Sequence, residues 1–246
     1  MEATVWSVGL LALGTALATG LGALPFLFTR QISRHRLGLA NALAAGLMVA
    51  ASLGLIYEGT RAGVGLTAAG VGVGALFVAL SSRLLGHHEV EWGSLRGADA
   101  RKALLLVGVM TIHSLTEGVG LGVAFGGGER LGLLITLVIA LHNIPEGLAI
   151  SLSMVPRGSS VREAAFWSVF SSLPQPLLAV PAFLAVRTFA PLLGAGLGFA
   201  AGAMLWMSAR ELVPEALEEA PAGHVAAVMV VSALAMLALQ ALLGGV

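Results

Sequence analysis

Residues 113–118 read HSLTEG and residues 142–147 read HNIPEG, each inside a long apolar run. A His and a Glu four positions apart on a helix share one face, with Cβ atoms about 6 Å apart. His113 with Glu117, and His142 with Glu146, therefore make two small polar patches. Imidazole nitrogen and carboxylate oxygen together suit zinc and other late first-row divalent metals, the carboxylates offsetting the charge of the cation. A centre for calcium or magnesium would more naturally be all oxygen. Each pair could instead close on itself as a hydrogen bond within one helix. Two pairs with equal spacing at equal depth favour a shared cation.

Depth follows from counting. Both His lie about 11 residues into their apolar runs, roughly 16 Å at the helical rise. The hydrocarbon core of a bilayer is about 30 Å thick, so all four groups are expected near its middle. Ionisable side chains there are costly and mark ion paths or relays. Pro145 cannot donate to the carbonyl of Leu141, which predicts a loosened turn beside the second motif. The first motif has Thr116 at the matching place.

The elements that carry these residues are membrane spans. Of 246 residues, 57% are hydrophobic and 11% charged, against roughly a quarter charged in a soluble domain. Balanced charge argues against a nucleic-acid partner. There is no Cys, which excludes thiolate metal sites and disulfides. The first apolar run is about 25 residues long, too long for a signal peptide. Eight spans are predicted, at 4–29, 38–58, 63–85, 102–125, 131–154, 161–186, 190–214 and 223–244. Arg and Lys concentrate in the loops after spans 1, 3, 5 and 7, which marks that face as cytoplasmic and puts both termini outside. The longest polar connection, 86–101, falls on the cytoplasmic side. Residues 1–246 are read as one all-α integral membrane domain.

AAGLMVAAS (44–52) in span 2 matches AAGAMLWMS (200–208) in span 7 at five positions. With the His/Glu motifs of spans 4 and 5, the pairs nest as inverted repeats, 2 with 7 and 4 with 5. Transporters are commonly built this way, with substrate held at the repeat interface.

HSLTEG and HNIPEG in the fourth and fifth of eight spans resemble the ZIP (Zrt-, Irt-like protein) family of divalent-metal transporters, of the prokaryotic GufA-like type. AAGLM of span 2, SLPQP of span 6 and AAGAM of span 7 extend the likeness over most of the chain. The resemblance implies a homodimer in the cell membrane that moves zinc, or related ions such as iron, manganese and cadmium, into the cytosol. The ion is substrate, not cofactor. By the same resemblance His113, Glu117, His142 and Glu146 are metal ligands in a mononuclear or binuclear centre, and Met48 matches a methionine adjoining the metal. Members with a second metal usually have Asn after the first His, Asn or Asp after the second, and Glu in span 6. Here those places hold Ser114, Asn143 and Gln175, none of them anionic. One tightly held ion is expected, with Asn143 and Gln175 lining it and Ser114 on the path.

Pro174, Pro176 and Pro181 around Gln175 predict a broken sixth span. Glu211 and Glu215, with Glu218 and Glu219, are candidates for passing a released cation toward the cytoplasm. His87, His88, Glu89 and Glu91 form a further metal-capable group in the long loop, and Glu58 with Arg61 a surface pair. The expected mechanism is alternating access. The alternative class is a membrane-embedded zinc-dependent hydrolase, although HExxH, which sets a general base beside two zinc ligands, is absent.

Overall fold

A computed structural model describes residues 3–29, 33–85 and 97–243, so the His87–Glu91 group lies outside the described residues. Every regular element among them is helical. Seven stretches are long and apolar enough to cross a membrane, Val5–Leu27, Arg34–Ser81, Val107–Gly127, Glu129–Arg157, Val161–Thr188, Leu192–Glu219 and Ala222–Leu242.

Helix α1 (Val5–Thr19) opens on a capping box, in which Thr4 Oγ1 accepts from the Ser7 amide and Ser7 Oγ from the Thr4 amide. Val8, Ala12, Thr15, Ala16 and Thr19 form its buried stripe, the helical period of an inward face. A 3₁₀ segment, Gly20–Leu27, continues it. Helix α2 (Arg34–Leu85) has 52 residues and departs from helical geometry at Gly63, where φ is 163° and ψ 109°. A Cβ placed on Gly59 would come 2.9 Å from the Thr67 side chain. Residues eight apart in one straight helix are separated by about 12 Å, so the chain turns sharply here. Glu58 and Arg61 pair at 3.5 Å beside this turn, as expected.

Helices α3 (Gly97–Gly127) and α4 (Glu129–Met154) are joined by Gly128 alone, at φ 146°, a conformation that L side chains avoid. The helix continues through Pro145 without ending, although Pro145 has no amide hydrogen for the Leu141 carbonyl. Neighbouring segments buttress α4 on several sides, which lets a membrane helix keep its course across a missing bond. The sixth span does break. Helix α5 (Val161–Ser172) stops at Leu173, and α6 begins at Pro174, whose missing amide hydrogen suits a first turn. Helix α7 (Leu192–Met207) passes through a π-helical turn, Ser208–Leu212, into α8 (Val213–Glu219). Helix α9 (Ala222–Leu243) follows.

These helices sort into two groups. Helix α2 packs most extensively on α7, and also on α8 and α9. The other group holds α1 with its 3₁₀ extension, α3, α4, α5 and α6. The groups touch chiefly where α3 meets α7 and α2 meets α4.

Candidate metal centre

The single-residue link at Gly128 explains why the two motifs meet. His113 lies fifteen residues before it and His142 fourteen after it. At 1.5 Å per residue the two imidazoles sit about 22 Å and 21 Å from the turn, at one level. Because the helices run in opposite directions, Glu117 lies a turn nearer the link than its His, and Glu146 a turn farther. The carboxylates flank the His layer from opposite sides.

Contacts follow that geometry. His113 Nε2 is 3.1 Å from Glu146 Oε1 across the helix pair and 3.2 Å from Glu117 Oε1 on its own helix. His142 Nε2 meets Glu117 Oε1 across the pair. The ring centroids are 6.4 Å apart. One ligand atom from each of the four residues lies within 4.8 Å of all the others. Tetrahedral zinc with bonds of about 2.1 Å needs ligands about 3.4 Å apart, so small side-chain adjustments would close this set around one ion.

The four side chains are 0–2% exposed. His113 Nε2 has no hydrogen-bond partner among the described residues despite both close carboxylates, and the same is true of Glu146 Oε1 and both His Nδ1 atoms. Buried polar atoms are nearly always partnered. A cluster left open at one place is what a cation-binding centre requires, and these residues fit one.

The structure brings Asn143 and Gln175 into the same neighbourhood. Gln175, the second residue of α6 and fully buried, donates from Nε2 to Glu117 Oε2. Its Oε1 accepts from Thr15 Oγ1 at 2.6 Å and from Asn143 Nδ2 at 3.3 Å. Asn143 Nδ2 also donates to the Thr15 carbonyl at 2.8 Å, while Asn143 Oδ1 has no partner among the described residues. Ser114 is buried, and its hydroxyl has no partner among the described residues. Met48 is fully buried within the main apolar core. Glu211 sits half-buried on the π-helical turn, outside the four-residue cluster.

Thr15 and Thr19 were not singled out by sequence. Thr19 Oγ1 and Ser172 Oγ lie 2.8 Å apart, so with the two contacts of Thr15 α1 shares three polar contacts with the helices around the centre. A threonine in an apolar helix gives little signal, because its hydroxyl can bond its own backbone. α1 reaches this position because Gly147, next to Glu146, has no side chain; a Cβ there would overlap the Thr19 carbonyl.

The family description "ZIP Zinc transporter" matches residues 82–246, about two thirds of the chain. The chain belongs to the ZIP zinc transporter family. ZIP proteins carry divalent metal across membranes and are not enzymes, which sets aside the hydrolase. Among relatives, zinc transporter GufA of Myxococcus xanthus is 36% identical over 80% of this chain and 84% of its own length. Zinc transporter ZupT of Lysinibacillus sphaericus is 34% identical over 84% of this chain and 86% of its own length. An Arabidopsis thaliana protein, whose name gives it a provisional role in zinc transport, is 46% identical over 98% of this chain. The chain spans 39% of the length of that plant relative. As a ZIP protein with several long apolar helices it is a multi-pass membrane protein.

Proposed function

We propose that this ZIP protein carries zinc into the cytosol, one ion at a time, through the centre formed by His113, Glu117, His142 and Glu146. The observation that carries the reading is the convergence of four buried ligand atoms within 4.8 Å. Two carboxylates and two neutral imidazoles balance a single dication. A second would leave two positive charges uncompensated in a low-dielectric interior, where each unpaired ion costs several kcal/mol. Iron, manganese and cadmium are accepted according to their intrinsic affinity for a nitrogen/oxygen set.

Transport works by alternating access, the α1–α3–α4–α5–α6 group moving against the α2–α7–α8–α9 group. The packing supports this division. Gly118 and Gly122 of α3 abut the α6 backbone, whereas Gly120 of α3 and Gly196 of α7 abut side chains across the boundary between groups. Side-chain contacts repack more easily than backbone locked to backbone.

Arg34–Ser81, at 48 residues, would extend about 72 Å if straight, more than twice the hydrocarbon core. With its turn at Gly63 it crosses twice, giving eight spans and extracytoplasmic ends. In support of the inverted repeat, Gly46 of the first AAG packs on α9 backbone and Gly202 of the second packs on the later half of α2. Residues 1–246 act as one transport unit, a homodimer in the cell membrane, with Glu211 along the cytoplasmic route.

Purified protein in liposomes is expected to take up zinc, and Glu146→Ala to abolish uptake. Undiminished flux in that variant would refute the reading. Oriented vesicles loaded from either side report direction.

A further inference from the structure

Helices α6 and α7 follow one another in the chain yet scarcely touch. Beside them lies a groove of about 390 Å³. The later half of α2 and α7 form one wall, α3 and α6 the other, so the groove straddles the boundary between the two helix groups. Its lining is confined to Leu, Val, Ala, Gly and Phe. Val123 of α3 and Val186 of α6 form its floor, 3% and 4% exposed. Leu66, Val73 and Leu192 stand at its mouth, 39% to 59% exposed. At the floor the groups meet tightly, since a Cβ on Gly196 of α7 would come 2.5 Å from Val123 Cγ2.

The groove has a definite depth. Leu66 and Val73 lie three and ten residues past the Gly63 turn, and Val123 lies five before Gly128. At the helical rise these positions fall about 5–15 Å from one end of the bundle. The groove thus runs through about half of a 30 Å hydrocarbon core, the reach of one leaflet. Water has no place in it, because a buried water needs two to four polar partners and the walls offer only apolar side chains. Left empty, both walls would forfeit dispersion contacts. What surrounds a multi-pass protein at this depth is lipid hydrocarbon. A helix of a second copy seated across both walls would fasten together groups that have to shift, whereas a single flexible chain can slide.

We propose that the groove binds one acyl chain of a phospholipid from the adjacent leaflet, a removable wedge between the helix groups. The wedge role rests on the two-group movement given above; the binding site does not. Because its walls belong to different groups, the groove changes shape whenever they shift, and the chain follows or leaves. A ring built permanently into the groove cannot.

Ala69→Phe on α2 and Ala185→Phe on α6 each put an aromatic ring into the groove, from opposite walls. The full-length protein is reconstituted in liposomes doped with a phosphatidylglycerol that carries a diazirine midway along one acyl chain. After illumination the adducts are mapped by mass spectrometry. Wild type is expected to carry adducts on Val123 or Val186, and the Phe variants at least tenfold fewer there. Leu177, 71% exposed and outside the groove, reports surrounding lipid and should label equally in all three. Zinc turnover in the variants is expected to fall at least threefold, with zinc affinity by dialysis unchanged. Circular dichroism and gel filtration identify the variants that fold, and one folded variant decides. Unlabelled floor residues beside a labelled Leu177 overturn the proposal, whether the groove is empty or covered by a second copy. Floor adducts that persist undiminished in a folded Phe variant overturn it as well. Undiminished turnover in a variant that has lost those adducts overturns the wedge role. Wild type that labels at the floor yet moves no zinc defeats the transport reading and leaves the lipid site standing.

Discussion

His113 Nε2 lies as close to Glu146 on the neighbouring helix, 3.1 Å, as to Glu117 on its own, 3.2 Å. Since His142 meets Glu117 in the same crossed fashion, the two HxxxE motifs form one four-residue centre, not two self-contained intrahelical pairs. Losing any one member therefore disturbs contacts on both helices.

Zinc should stabilise the protein only while the centre is whole. At a zinc concentration 100 times its dissociation constant, binding contributes about 2.7 kcal/mol. Loss of an outer-shell partner alone weakens metal sites by about 10–100-fold, so removing a ligand is expected to cost at least about 100-fold. In His113→Ala or Glu146→Ala the same zinc would then add no more than about 0.4 kcal/mol. Thermal unfolding with and without zinc measures the difference.

The Gly128 link predicts a sharp dependence on chain register. One Ala inserted after Gly128 rotates α4 by about 100° relative to α3 and takes His142 and Glu146 off the shared face. Zinc binding is expected to vanish while helical content by circular dichroism persists. Gly128→Ala, at φ 146°, should instead cost about 1–3 kcal/mol of stability and retain zinc.

Gly147→Ala tests the seat of α1. Its Cβ would overlap the Thr19 carbonyl, and overpacking of this kind costs about 1–3 kcal/mol. Both stability in denaturant titration and zinc uptake should fall. Gly14→Ala, with nothing within 4 Å of the added carbon, should leave both intact.

Acidification should weaken zinc binding. The ligands must be deprotonated to coordinate, so binding releases protons and protons compete with the metal. Apparent affinity is expected to fall from about pH 7.5 to about pH 5.5 and to recover on return. Dialysis across that range, or proton release on zinc addition in weak buffer, measures it.

What could be read from sequence was set by how abnormal a residue is in its surroundings. His and Glu at mid-depth in apolar runs stand out, and their equal depth follows from counting alone. The break before Gln175 was legible from Pro174, whereas Pro176 and Pro181, also expected to break the span, lie within α6. The crossed pairing was not, since spacing along one helix says nothing about which carboxylate on the next helix faces which ring. Thr15 was invisible for a different reason, as its side chain is unremarkable until the α6 amide lies beside it. The second and third predicted spans follow each other with no loop between them because the turn is made at a single residue, Gly63. Pro145 does not end α4, which continues to Met154 among the helices packed around it.

The covalent join between α3 and α4 has a bearing on lipid environment. Spans adapt to bilayers of unequal thickness by tilting or by reshaping the lipid around them. Here the two rods that carry the His/Glu motifs must adapt together, since one glycine fixes their axial offset. Affinity for the ion should thus hold steady from short-chain to long-chain lipids, even where turnover, which requires the two helix groups to shift, responds to acyl length.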